Sequence, residues 1–263
     1  MFCYQCEQTA KGTGCTVQGV CGKDPQTASL QDLLVHATKG LSMYAHRARQ
    51  LGAKDREIDV FVIEALFTTI TNVDFDPQRL EGIIRKCVKL TEKAKKLYEE
   101  VCAKQGKKPE VLGAPANWTP ADSLDGLVKQ GDAVGVESRK QLHGDDVTGL
   151  IELVIYGLKG TAAYADHALI LGQEDDGVYA FFHEALSFLT KGTFTAEELT
   201  ALALKVGEVN FRVMELLDTA NTGAYGHPQP TKVRITPVKG KAILVSGHDL
   251  KDMEELLRQT EGT

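Results

Sequence analysis

The stretch KGLSMYAHRARQLG, residues 39–52, returns 120 residues later as KGTAAYADHALILG, residues 159–172. Extended without gaps to residues 33–66 and 153–186, this alignment keeps thirteen of 34 positions identical. A solenoid needs several short repeats to bury its faces, whereas here the period is long and there are two copies. The sequence therefore predicts a duplicated helical bundle.

Three helices are expected in each copy. In the first copy the apolar positions favour one helix over about residues 33–51, with Gly52 as its C-terminal stop, and a second over about residues 58–70. The third begins at Asp76-Pro77, because aspartate is a good N-cap and proline suits the first helical position. In the second copy Thr195 and Glu198 have the spacing of a capping box.

After the second copy the pattern changes to short β-type runs at residues 233–235 and 242–246, followed by a helix over about residues 250–258. These runs predict the beginning of a Rossmann-like α/β domain. One or two strands cannot bury the faces of a parallel sheet, so we expect a longer protein or a completing chain.

The predicted fold class is mainly α, with two repeated three-helix bundles between a cysteine-rich N-terminal loop and the start of an α/β domain. The expected division is a cluster loop at 1–28, the first bundle at 29–105, an irregular connection at 106–144, the second bundle at 145–225 and the α/β beginning at 231–263.

Composition excludes several classes of protein. The chain has 263 residues, is 43% hydrophobic and carries a formal charge of -6, which argues against a general nucleic-acid binder. The basic residues between Arg85 and Lys108 are interpreted as a solvated helix face, with a docking face for an acidic partner as the alternative. No apolar run is long enough to cross a membrane, and Cys3 and Cys6 occupy the place of a secretory signal. We therefore expect a cytoplasmic protein with reduced thiols.

Four of the six cysteines lie in MFCYQCEQTAKGTGCTVQGVCGK, residues 1–23. Cys3, Cys6, Cys15 and Cys21 form the spacing C-x2-C-x8-C-x5-C, in which one close pair is followed by two widely spaced thiols. Structural zinc usually takes two close pairs, so this spacing favours a [4Fe-4S] cluster. Zinc and redox-active or unliganded cysteines remain alternatives. Cys87 falls on an apolar helical stripe and is interpreted as a core residue.

His248 is the candidate ligand outside the cysteine loop. It follows a predicted strand and precedes a predicted helix, which is where open α/β folds place ligands and catalytic groups. A helix-capping or packing histidine is the alternative. Glu-x-x-His, Gly-x-Gly-x-x-Gly and Walker motifs are all missing from the sequence.

These motifs resemble the hybrid cluster protein family, also called prismane proteins or hydroxylamine reductases. The resemblance rests on the cysteine stretch, LQDLL at residues 30–34, the Lys-Gly, Tyr-Ala and Leu-Gly pairs of both copies, LLDTANTGAYGHP at 216–228 and ILVSGHDLKDMEELLRQTEGT at 243–263. It covers the whole chain and corresponds to the N-terminal part of members with both helical bundles.

The resemblance implies that the four cysteines bind a [4Fe-4S] cluster and that His248 is one ligand of the iron-sulfur-oxygen hybrid cluster. In the family the other hybrid-cluster ligands lie beyond the length of this chain. Electrons from a redox partner would enter through the [4Fe-4S] cluster, and a small N-O substrate such as hydroxylamine or nitric oxide would be reduced at the hybrid cluster. A stand-alone electron carrier and a helical protein with structural zinc are the alternatives.

Overall fold

The first two helices of each copy begin and end 120 residues apart, and the third helices keep this spacing to within one residue at each end. The computed structural model describes residues 1–262. The mainly helical fold class is confirmed. Among the helices of residues 1–262, none combines the length and the apolar composition that crossing a bilayer requires. The helices are α1 Pro25–Gln50, α2 Arg56–Thr68, α3 Pro77–Lys104, α4 Leu124–Val134, α5 Val136–His143, α6 Asp145–Ile170, α7 Asp176–Phe188, α8 Ala196–Tyr225 and α9 Leu250–Gln259.

Aspartate caps determine where the helices of the first copy start. Helix α1 begins at Pro25 rather than near Leu33, because the Asp24 carboxylate accepts a hydrogen bond of 2.7 Å from the Thr27 amide. Asp76 caps α3 as predicted, accepting hydrogen bonds from two amides of the first turn. Each cap satisfies backbone donors that have no partner within the helix.

The predicted capping box begins α8. The Thr195 hydroxyl accepts from the Glu198 amide at 3.2 Å, and the Glu198 carboxylate accepts from the Thr195 amide at 3.1 Å. At the other helix ends, Gly52 and Gly172 follow α1 and α6 with φ of 84° and 83°. This left-handed conformation favours glycine and explains why a Leu-Gly pair ends the first helix of each copy.

The two bundles share one core because their short helices are exchanged. Helix α1 packs along α3, and α6 packs along α8, within the same copy. Helix α2, however, packs mainly against α6, and α7 packs mainly against α1. Leu33, Phe61, Leu158 and Phe182 accordingly belong to one continuous apolar cluster. Either copy alone would leave part of this surface uncovered.

A buried polar cluster holds the exchanged helices together. His183 of α7 contacts Asp59 of α2 at 2.9 Å through Nε2 and Ser42 of α1 at 3.2 Å through Nδ1. Arg49 donates to the second Asp59 oxygen at 2.6 Å. A serine, a histidine and an aspartate in series form the constellation of hydrolytic triads. Here both Ser42 and His183 are 0% exposed, so the cluster has no access to a substrate and ties three helices together.

The connection at residues 106–144 contains two short helices, where one was expected. Helix α4 lies close to α1, because a Cβ atom on Gly131 would stand only 2.0 Å from the carbonyl oxygen of Ser29. Trp118 sets its ring edge against His36 of α1, with 6.2 Å between the ring centroids. The connection therefore covers the first copy rather than linking two distant bundles.

The strands predicted after the second copy are not formed. Residues 233–235 and 242–246 are irregular, and Ile235 and Leu244 are 93% and 97% exposed. A strand needs a neighbour for its backbone donors and acceptors, and residues 1–262 supply none here. The predicted Rossmann-like beginning is therefore wrong for this chain, whereas the helix that follows is present as α9. Thr263, the last residue of the expected range, lies outside the described residues.

Candidate metal centre

The N-terminal loop brings Cys3 and Cys15 together. Their backbones pair in antiparallel fashion: the Cys3 amide donates to the Cys15 carbonyl at 3.0 Å, and the Cys15 amide donates to the Cys3 carbonyl at 2.8 Å. Gly14 makes this turn possible. Its φ is 151°, and a Cβ atom there would lie 2.5 Å from the Phe2 ring.

The sulfur of Cys15 sits in an environment that suits a thiolate. Cys15 is 3% exposed, and its Sγ accepts from the Ala10 amide at 3.4 Å. The Thr9 hydroxyl lies 3.7 Å from the same sulfur. Hydrogen bonds from the Ala10 and Val20 amides and from Thr9 lower the pKa of the Cys15 thiol. Donors of this kind stabilise metal-bound thiolates and tune the potentials of iron-sulfur clusters.

Cys6 and Cys21 occupy the edges of the loop. Cys6 is half-buried and Cys21 is exposed. A Cβ atom on Gly19 would stand 3.1 Å from the Cys21 sulfur, so this glycine lets the backbone pass close to the thiol. All six cysteines of the chain are free thiols. In the described part of the chain, no three cysteine sulfurs lie within 4.8 Å of one another.

Cys87 and Cys102 take no part in this site. Both belong to the buried face of α3, at 0% and 1% exposure. Burial raises the pKa of the Cys87 thiol to about 12. The interpretation of Cys87 as a core residue is confirmed.

Buried cations lie beneath the cysteine loop. Lys23, at 2% exposure, donates to the Gln31 side-chain oxygen at 2.6 Å. Lys159 of α6 is 4% exposed and lies 3.5 Å from the Thr69 carbonyl. With the Gln5 amide oriented to satisfy its neighbours, the Gln5 oxygen also accepts from Lys159 at 3.1 Å. Burial lowers the pKa of Lys159 to about 8, against the opposing influence of nearby acidic groups and Cys3.

Tyr4 ties the same loop to a buried ion pair. Its hydroxyl donates to Glu152 Oε2 at 2.8 Å, and Arg139 Nε donates to Glu152 Oε1 at 2.6 Å. Sequence reasoning missed Tyr4, Glu152 and Arg139. The repeated Lys-Gly pair did single out Lys159, and this was the one signal in the sequence for the residues beneath the cysteine loop.

An apolar cleft of about 890 Å³ opens beside Cys6 and Lys159. Its walls include Leu153, Tyr156 and Leu204, which are 55%, 47% and 73% exposed. Among the loop cysteines only Cys6 lines this cleft.

His248 lines a second cavity of about 220 Å³, which adjoins the apolar cleft at Tyr164. Its side chain is 83% exposed. His167, His248 and Asp249 each place one ligand atom within 4.8 Å of the others. Imidazole and carboxylate ligands suit iron and several other divalent metals. His167, on α6, was missed because nothing in its local sequence distinguishes it from a surface histidine.

The whole chain is similar to one protein family and to several curated proteins. The sequence pattern of the Prismane/CO dehydrogenase family matches residues 1–263. The chain is 53% identical over 262 residues to a hydroxylamine reductase of Rhodospirillum rubrum, covering 100% of this chain and 48% of that protein. The corresponding protein of Syntrophobacter fumaroxidans is also 53% identical, with 100% and 47% covered. That of Geobacter sulfurreducens is 51% identical, with 100% and 48% covered. The chain thus spans about half the length of the curated relatives it matches.

Proposed function

Because the chain belongs to the Prismane/CO dehydrogenase family, we propose that it forms the N-terminal part of an iron-sulfur oxidoreductase that reduces hydroxylamine or a related N-O compound. The names of the relatives and their identity across the full chain support this reaction class. The fold itself supports no particular function, since function resides in the site. We further propose that the protein works in the reducing cytoplasm, where these thiols remain free.

In this proposal Cys3, Cys6, Cys15 and Cys21 hold a [4Fe-4S] cluster. The observation that carries it is the hydrogen-bonded Cys15 sulfur, with its lowered pKa, directly beside Cys3 in a paired loop. In the described residues no three of these sulfurs lie within 4.8 Å of one another. A tetrahedral zinc site with bonds of about 2.3 Å would hold its sulfurs roughly 3.8 Å apart, so this arrangement favours the cluster over zinc.

The bound cluster would supply one-electron transfer, and the chain's own residues would set how readily it does so. Lys159 and Lys23 place positive charge under the loop in a buried environment where charges interact strongly. Positive charge favours the more negative, reduced form of a cluster. The Ala10 amide and the Thr9 hydroxyl act in the same direction by donating toward Cys15.

His248 is proposed as one ligand of the hybrid cluster. Its exposure and its position on an open cavity are compatible with a site that further residues complete. The other ligands implied by the family resemblance lie outside this chain. We therefore propose that the 263-residue chain accepts electrons but reduces hydroxylamine only when joined to its second half.

Anaerobic isolation of the chain and of Cys15→Ser tests the cluster assignment. We expect about four iron and four sulfide per wild-type chain, with a broad visible absorption that dithionite bleaches. Loss of the Cys15 thiolate should reduce the iron content by more than half. The matched control, Cys102→Ala, removes a thiol from α3 and should keep the iron. Zinc in place of iron, or full iron in Cys15→Ser, would contradict the assignment.

The reaction class has its own test. Wild-type chain should be reduced by dithionite yet show no hydroxylamine-dependent oxidation of reduced methyl viologen, whereas a form extended by a relative's second half should oxidise it. An extended form that contains both clusters but consumes no hydroxylamine would refute the proposed activity and leave the cluster assignment untouched.

A further inference from the structure

A second polar cluster lines a pocket of about 210 Å³ between α1, α5 and the residues that follow α7. Two basic side chains of α1, His36 and Lys39, line it together with Arg139 and His143 of α5. None of the residues lining this pocket is acidic. The pocket therefore presents donors and positive charge without a carboxylate of its own.

Lys39 is the buried cation in this pocket. It is 7% exposed, and no residue in the described range 1–262 accepts a hydrogen bond from its amino group. Lys23 and Lys159, which are buried to a similar degree, both have oxygen acceptors. The Lys39 amino nitrogen is not among the buried polar atoms that lack a partner, so it reaches the solvent of the pocket. It can therefore donate hydrogen bonds to an anion that enters the pocket.

Two acidic groups act on Lys39 without binding it. Asp32 and Glu152 interact with Lys39 electrostatically, but neither accepts a hydrogen bond from it. Glu152 is already occupied by Arg139 and Tyr4. Arg139 uses its Nε for Glu152 and one terminal nitrogen for the Val134 carbonyl, which leaves its other terminal nitrogen available as a donor.

The two histidines complete the wall as neutral donors. Burial, assisted by Lys39 and Arg139, lowers the pKa of His36 to about 4 and also lowers that of His143. Their rings contact the edges or faces of Trp118 and Phe194. Each neutral imidazole still carries one N–H donor.

We propose that this basic pocket binds one small inorganic oxyanion of the phosphate or sulfate class, held by the Lys39 ammonium and the Arg139 guanidinium. The volume suits such an ion with a few waters, given that each water occupies about 30 Å³ in the liquid. Guanidinium and ammonium groups are the usual ligands of tetrahedral oxyanions. The site stands independently of the proposed reductase function, because its residues do not include the cysteines or His248.

Titration calorimetry of the anaerobically isolated chain with inorganic phosphate, in phosphate-free buffer at fixed ionic strength, tests the proposal. We expect saturable binding of one phosphate per chain, with sulfate competing and chloride not. Lys39→Met should weaken the affinity at least tenfold, while Lys39→Arg retains binding. Lys129→Met, on the exposed side of α4, removes the same charge and should leave the affinity unchanged. Circular dichroism confirms that each variant folds.

Equal phosphate affinity in Lys39→Met and Lys129→Met would overturn the proposal, as would the absence of saturable binding to the wild type. The form extended by a relative's second half provides a further test of phosphate binding. If it binds no phosphate while the 263-residue chain does, the second half covers or fills the pocket, and the oxyanion assignment is wrong.

Discussion

Lys39-Gly40 and Lys159-Gly160 occupy the same position in the two copies, yet their surroundings differ. Both lysines are buried. Lys159 has acceptors from the cysteine loop and the end of α2, whereas Lys39 faces the basic pocket without one. Gly40 is packed so tightly that a Cβ atom would stand 2.5 Å from the Pro115 carbonyl, while Gly160 faces open space.

The difference arises from what covers each copy. Residues 106–144 cover the first copy and press Pro115 against α1. The cysteine loop covers the second copy, placing Gln5 and Cys6 near Lys159. The lysine and the glycine are the same in both copies, but two unrelated segments pack against them and give them different surroundings. Internal sequence identity is therefore a guide to fold and a poor guide to the role of a residue.

The largest effect is expected from alanine at the two glycines. Gly40→Ala forces a methyl group into a backbone carbonyl and should destabilise the protein by about 2–3 kcal/mol. Gly160→Ala meets no such contact and should stabilise by roughly 0.5–1 kcal/mol, because alanine favours a helix over glycine. Urea unfolding followed by circular dichroism measures both. Equal changes in the two variants would show that the first copy is not packed as described.

The two lysines should also differ in how they couple folding to pH. Burial lowers the pKa of Lys39 to about 7 and that of Lys159 to about 8, against about 10.4 in an unfolded chain. Between the folded and the unfolded pKa the unfolded state holds more protons, so the free energy of unfolding rises with pH in this range. Below the folded pKa both states hold the proton, and the free energy of unfolding stays at its lower value.

The stability of the wild type relative to Lys39→Met should therefore rise from near pH 7, by at most about 1.4 kcal/mol per pH unit. Relative to Lys159→Met the rise should begin about one pH unit higher. Urea unfolding between pH 6 and 9.5 in phosphate-free buffer measures both differences. Two pH-independent differences would contradict the burial of these amino groups.

The smallest effect concerns the proposed cluster. Lys159 interacts with Cys3, so Lys159→Met removes a positive charge beside the thiolates. The reduction potential should fall by roughly 30 mV, about 0.7 kcal/mol for one electron. Lys39 lines the basic pocket and has no interaction with a cysteine, so Lys39→Met should change the potential by less. Dye-mediated redox titration followed by electron paramagnetic resonance compares them, and a larger shift in Lys39→Met would reverse the comparison.

Much of the helical fold was predictable because its signals are local. The aspartate cap and proline at residues 76 and 77 and the Leu-Gly stops act within a few residues of themselves. The strands at 233–235 and 242–246 failed for the opposite reason, since a strand depends on a distant partner. At the site, the spacing of the four cysteines predicted a cluster loop, while Arg139, Glu152 and His167 carry no local signal.

The sequence by itself determined the number and repetition of the main helices, since apolar periodicity and capping are properties of neighbouring residues. Only the tertiary structure decided that α2 and α7 are exchanged between the copies, and that His183 meets Asp59 from 124 residues away. It also decided that one repeated lysine is paired and the other is not. Such choices depend on which surfaces exclude water together, and that is set by the packing of the whole chain.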